Sequence, residues 1–181
     1  DGKFKVRYDH ASTVHDEKMW VAGGELGDRF NDVWYSEDGK TWKQATDNAA
    51  FSRRSRHTLT AFKGRMWLIG GLTDNGEVGD IWVSGDGENW ALQLNAAPFG
   101  QRRGHTAVVF KDKLWVIGGY SSDNQLLNDV WVSNDGITWN LANPNAAFPP
   151  RRDHALTTDG ERMWLTAGTK NNNFEYFNDI W

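Results

Sequence analysis

Leu114-Trp115-Val116-Ile117-Gly118-Gly119, preceded by Arg102 and His105 and followed by Asp129-Val130-Trp131 and Trp139, decides the fold, because this pattern recurs along the whole chain. Trp20, Trp67, Trp115 and Trp164 form one register. Trp34, Trp82, Trp131 and Trp181 form a second, and Trp42, Trp90 and Trp139 a third, which accounts for all 11 tryptophans. Successive members lie 47 to 50 residues apart. A period of this length marks one supersecondary unit copied several times.

Other residues keep the same phase. Phe4, Phe51, Phe99 and Phe148 open the copies; Arg7, Arg54, Arg102 and Arg151 follow, then His10, His57, His105 and His154. Gly23-Gly24, Gly70-Gly71 and Gly118-Gly119 become Ala167-Gly168 in the last copy. The units therefore run over about 4–50, 51–98, 99–147 and 148–181, within one domain spanning 1–181. Short apolar runs separated by turn residues predict four strands per unit, in the third copy Thr106–Phe110, Lys113–Ile117, Asp129–Ser133 and Thr138–Leu141. The last two are joined through Asp-Gly, where glycine supplies the positive φ of a tight hairpin. A four-stranded sheet cannot bury both faces alone, so successive copies must stack, with tryptophan filling the gaps between them. The fold class is all-β, a β-propeller with four four-stranded antiparallel blades, the fourth incomplete.

Composition excludes several classes of function. There are 20 Lys and Arg against 24 Asp and Glu, for a net charge of -4, so no basic surplus recommends a nucleic acid. No apolar run is long enough to cross a bilayer as a helix, and no membrane partner is expected. The absence of cysteine rules out disulfides and thiolate metal sites within these residues. The compartment stays open, with a secreted, cell-surface or periplasmic setting preferred to a cytoplasmic one.

The Arg-x-x-His spacing, the run Leu114 to Gly119 and the following Asp-x-Trp and Trp, four times in register, resemble the kelch-repeat propellers. The likeness covers essentially the whole chain. Ser36 to Trp42 and Ser133 to Trp139 also look like the Asp-box hairpin of sialidase-type propellers, one residue shorter; in that family the hairpin carries no chemistry. Kelch-like rings usually have six or seven blades, which would need roughly 290 to 340 residues at this period. The expectation is therefore a segment of a larger ring, closed by continuation of the chain or by self-association. A two-chain ring and a closed four-bladed ring are the alternatives.

Ligand sites on such a scaffold are expected on the face carrying the connections between units and the second-to-third strand loops: Glu25 to Phe30, Leu72 to Val78, Tyr120 to Leu127 and Thr169 to Phe177. The in-register arginines read as structural ties between adjacent units, bonding carbonyls or an aspartate such as Asp32, Asp80 or Asp129. The unrepeated Arg56, Arg103 and Arg152 are the candidate ligand contacts, since guanidinium forks suit carboxylates. Tyr8, Tyr120 and Tyr176 would add stacking surfaces, and Glu25 and Asp123 further polar contacts. The in-register histidines read as strand-start residues rather than metal ligands; no catalytic residue, metal or cofactor is expected. These features predict a non-catalytic recognition or scaffold module for a protein, an acidic peptide or a glycan. The alternative is a sugar-acting enzyme of sialate-mutarotase or sialidase-like type, with Glu25, Glu77 or Glu175 as acid or base in the mutarotase version; no tyrosine and glutamate pair can be placed for the sialidase version.

Overall fold

The computed structural model describes residues 4–170 and 175–181. Every regular element among them is a strand. The first unit pairs Ala11–His15, Lys18–Ala22, Val33–Ser36 and Lys43–Thr46 in that order as an antiparallel meander. Thr58–Phe62, Arg65–Thr73, Gly76–Ser84 and Ala91–Leu94 make the second sheet in the same order. The third contains Thr106–Phe110, Lys113–Ser121, Leu126–Ser133 and Trp139–Asn143, plus Arg102–Arg103 paired with Tyr120 and Ser121. In the fourth, Ala155–Thr158 pairs with Met163–Thr166, and the third strand is represented by reciprocal backbone bonds between Leu165 and Trp181 at 2.9 and 3.0 Å. These antiparallel sheets, packed one on the next, are the blades of a kelch-type β-propeller.

First strands of neighbouring units lie side by side: the Ala61 amide donates to Thr13 Oγ1 at 3.2 Å, and Thr60 Oγ1 donates to the Ala107 carbonyl at 3.5 Å. The apolar core consequently sits in the joints between units. One buried cluster joins Trp20, Ala22 and Val33 of the first unit to Phe51, Leu59, Met66 and Leu68 of the second. The next does the same for the second and third units, with Trp67, Ile69 and Ile81 against Leu114 and Val116.

The three tryptophan registers have three different jobs, a distinction the expectation of common gap-filling did not contain. Trp20 and Trp67, 3 % and 5 % exposed, cross into the following unit and lie on its Asp-Gly turn. A Cβ at Gly87 would collide with the Trp20 ring, and one at Gly136 with Trp67, so the indole claims the space that a side chain would need. Trp42, Trp90 and Trp139 stay within their units and meet the opening Phe4, Phe51 and Phe99 edge-on at 5.1, 5.2 and 5.0 Å. Trp34, Trp82, Trp131 and Trp181 turn their N–H to the aspartate two residues before them.

The second-to-third connections also differ from expectation. Leu72 to Val78 and Tyr120 to Leu127 are not open loops: at the first glycine of the pair the ladder shifts register and then resumes, pairing Gly71 with Val78 and Tyr120 with Leu126. Backbone bonds extend each hairpin through short arms that mix apolar and polar residues without strand alternation, leaving only a short tip. In the first unit Glu25 and Leu26 pair with Arg29 and Asp28. In the fourth, Thr169 pairs with Tyr176, and part of the expected loop lies outside the described residues.

Candidate functional site

Each unit enters its first strand through a residue with left-handed backbone: Asp9, Arg56, Gly104 and Asp153, with φ of 54°, 54°, 59° and 55°. These residues bond in series, Arg56 N to Asp9 O at 2.9 Å, Gly104 N to Arg56 O at 2.9 Å and Asp153 N to Gly104 O at 2.7 Å. That chain gathers one side of all four units into a common mouth. Flanking it, Tyr8 pairs with Glu25, Ser55 with Leu72, Arg103 with Tyr120 and Arg152 with Thr169.

The structure brings Arg103, Tyr120 and Arg152 together. Both guanidinium carbons lie over the Tyr120 ring, at 5.0 and 5.2 Å from its centroid, and Tyr120 OH donates to Asn124 Oδ1 at 3.1 Å. Cations over an aromatic face are favoured by its quadrupole, which fixes both forks relative to the ring. Arg56 Nε donates to Asp9 Oδ2 at 2.8 Å and its Nη1 lies 3.7 Å from Asp153 Oδ2; Arg103 Nη1 lies 3.3 Å from Glu77. Burial raises the Asp153 pKa against the pull of Arg56 and Arg152. Burial also lowers that of Arg103, opposed by Glu77 and reinforced by Arg152 and Arg56. The mouth is thus a network of alternating charges rather than a field of one sign.

The remaining candidates are dispersed. Glu25 is held by Arg29 Nε at 3.2 Å and by the Ser55 hydroxyl at 3.0 Å. Tyr8 and Tyr176 are exposed, at 52 % and 67 %. Asp123 stands exposed at the tip of the third hairpin, and none of the other candidates is bonded to its carboxylate. The acids considered for an enzyme are in ion pairs: Glu25 with Arg29, Glu77 with Arg103 and Glu175 with Lys170. Sequence reasoning missed Asp9 and Asp153. Their signal was Gly104 at the same position, a residue type that tolerates the left-handed region.

The in-register residues belong to the frame. Arg7, Arg54, Arg102 and Arg151 are buried, and each grips an aspartate of its own unit through both terminal nitrogens, as in Arg54 to Asp80 at 2.6 and 2.8 Å. The same arginines donate to the carbonyls of Gly23, Gly70, Gly118 and Ala167. Burial pushes the Asp32 pKa up, but hydrogen bonds from Arg7 and Trp34 outweigh it and the net shift is downward. Adjacent units are tied instead by the arginine backbone, through Arg54 N to Phe30 O and Gly24 N to Arg54 O at 3.0 and 2.9 Å.

His57, His105 and His154 are buried in the joints, each against the first glycine of the preceding pair. His105 and His154 share hydrogen bonds with Thr58 and Thr106 at 3.3 and 2.8 Å. Burial, with the nearby Arg54 and Arg151 charges, pushes His57 down to about 3 and His154 down to about 4; His105 falls well below 6.5 by burial and Arg102. The unfolded chain therefore binds protons at these positions below pH 6.5 while the folded one does not. Stability is complete above that pH and is expected to fall by about 1.4 kcal/mol per histidine per pH unit as pH drops toward 4. Urea unfolding at pH 7, 6 and 5 checks this above the range where the paired carboxylates titrate. Equal free energies at pH 7 and 5 would contradict it.

Residues 101–132, which span the left-handed entry, the glycine pair and the third strand of the third unit, match the family model described as Kelch motif. No curated protein matches the chain. The matched unit recurs in register along the sequence, so the kelch motif of the third unit has counterparts of the same pattern in the others.

Proposed function

We propose that this protein is a non-catalytic recognition module whose mouth, built around Arg103, Tyr120 and Arg152, receives an acidic segment of a protein partner. A kelch motif points to a protein-interaction scaffold, and the finer reading concerns which surface and which chemistry. The observation that carries it is the stack of two guanidinium groups on one aromatic ring, with Arg56 a neighbour in the same network. Paired forks receive carboxylates bidentately, and Glu77 and Asp153 show how the cations are balanced until a ligand carboxylate exchanges for them. Exposed Tyr8 and Tyr176 offer stacking area beside the mouth. No observation favours the enzyme reading, because its acids are already committed to cations.

Fluorescence anisotropy with a labelled Glu- and Asp-rich peptide tests the proposal. Arg103→Ala or Arg152→Ala is expected to weaken binding about tenfold or more, and added salt to weaken it further. Peptide binding unaltered by both substitutions would contradict it.

Self-association is part of the same proposal. His10 is exposed, whereas its counterparts His57, His105 and His154 are buried by the preceding unit. A like unit, supplied by continuation of the chain or by a second copy, would bury it and continue the stack of sheets. If a second copy supplies it, light scattering in dilute solution gives the mass of a dimer; a stable monomer would remove the two-copy version.

A further inference from the structure

The repeat supplies its own control for finding residues that the fold does not require. Trp34, Trp82 and Trp131 are each pinned by an N–H bond to the preceding aspartate, at 2.8, 2.7 and 2.7 Å. Directly across the ladder from them stand Gln44, Leu92 and Leu141. Leucine in two copies shows what the frame accepts there, so the glutamine is particular to the first unit. The same holds further along. Ala49, Ala97 and Ala146 donate to equivalent carbonyls, which aligns Asp47 with Asn95 and Pro144, and Arg53 with Gln101 and Pro150.

Gln44 and Asp47 of the first unit and Arg53 at the start of the second border a cleft of about 380 Å³ with Trp34 and Phe30 in its walls. Its floor is chemically spent. Asn31 is buried and its amide donates to Asn48 Oδ1, Ala49 O and Phe51 O at 2.9, 3.0 and 3.3 Å, while Asp32 is held by Arg7 and Trp34. Its rim is not. Among the described residues, the side chains of Asp28, Gln44, Asp47 and Arg53 make no hydrogen bond or ion pair, and Lys5 only lies 5.9 Å from the Phe30 ring.

The rim therefore offers two carboxylates, two cations and one carboxamide around aromatic walls, with the charges in balance. An anionic ligand would meet Asp28 and Asp47, and a cationic one Lys5 and Arg53. A hydroxyl both donates and accepts, so a vicinal diol satisfies the carboxylates and the guanidinium together, while sugar C–H groups lie on the aromatic faces. The volume is at the low end for small-ligand sites and suits a single ring. We propose that this cleft is a subsite for one neutral hexopyranose unit of a glycan. It shares no residue with the mouth and stands or falls separately.

Proton–nitrogen NMR of the Trp34 indole N–H, assigned with Trp34→Phe, reads binding directly. Titration with maltose, cellobiose and lactose at millimolar concentrations is expected to move this resonance for at least one of them, and galacturonate and glucosamine are expected to bind more weakly. The combined change Gln44→Leu, Asp47→Asn and Arg53→Gln takes the residues found one repeat further on, Leu92, Asn95 and Gln101. It is expected to weaken sugar binding about tenfold or more at an unchanged thermal midpoint, whereas Arg103→Ala leaves it unaltered. The proposal is overturned if none of the three neutral sugars moves the resonance, if the triple variant binds as well as the parent, or if either charged sugar binds as tightly as the neutral ones.

Discussion

The seating of one unit's indole on the next unit's Asp-Gly turn is the constraint on which the rest depends. A small antiparallel sheet has two faces to cover and cannot cover them itself. Trp20 and Trp67 reach across to Gly87 and Gly136, where nothing larger than hydrogen fits beneath the ring. Each turn is shaped for this by its own bonds: Ser84 Oγ accepts from the Gly87 amide at 2.8 Å, and Asp86 Oδ1 from those of Glu88 and Asn89 at 3.0 and 2.8 Å. Sequence, turn and joint are thus one device, repeated.

Within a unit the corresponding device is the buried arginine. Its two terminal nitrogens grip an aspartate that also receives the neighbouring indole N–H, so the unit's entry and its third strand are fixed to each other. A buried ion pair of this kind is weak support for stability by itself, because desolvation offsets attraction, but removal of one partner strands the other. Its consequence here is geometric: the same arginine's backbone bonds to the preceding unit, so side chain and main chain hold successive units in one orientation. The left-handed residues two positions on are then brought into series, and the mouth is a product of the frame.

Legibility in the sequence followed periodicity. The Thr106–Phe110 strand, the Asp-Gly hairpins, the buried tryptophans and the arginine–aspartate ties could all be read because each recurs and its chemistry has few solutions. The hairpin arms at Leu72 to Val78 and Tyr120 to Leu127 could not, since their apolar and polar residues pair without the alternation that marks a strand. Candidate site residues were legible as types and not as constellations. Arg103, Tyr120 and Arg152 do converge, but Asp123 stands apart and Asp9 and Asp153 went unnoticed. The polar rim around Trp34 became visible only when the register aligned Gln44 with Leu92 and Leu141.

A double-mutant cycle on Trp67 and Gly136 addresses the joint itself. Trp67→Ala alone is expected to cost about 3 to 5 kcal/mol, and Gly136→Ala alone to destabilise through both its positive φ and its collision with the indole. With Trp67 already removed, the methyl group at Gly136 enters vacated space, and urea unfolding should give a coupling energy of about 1 kcal/mol or more. Strictly additive losses would mean that the indole does not rest on the turn, and would contradict the account of how these units are joined.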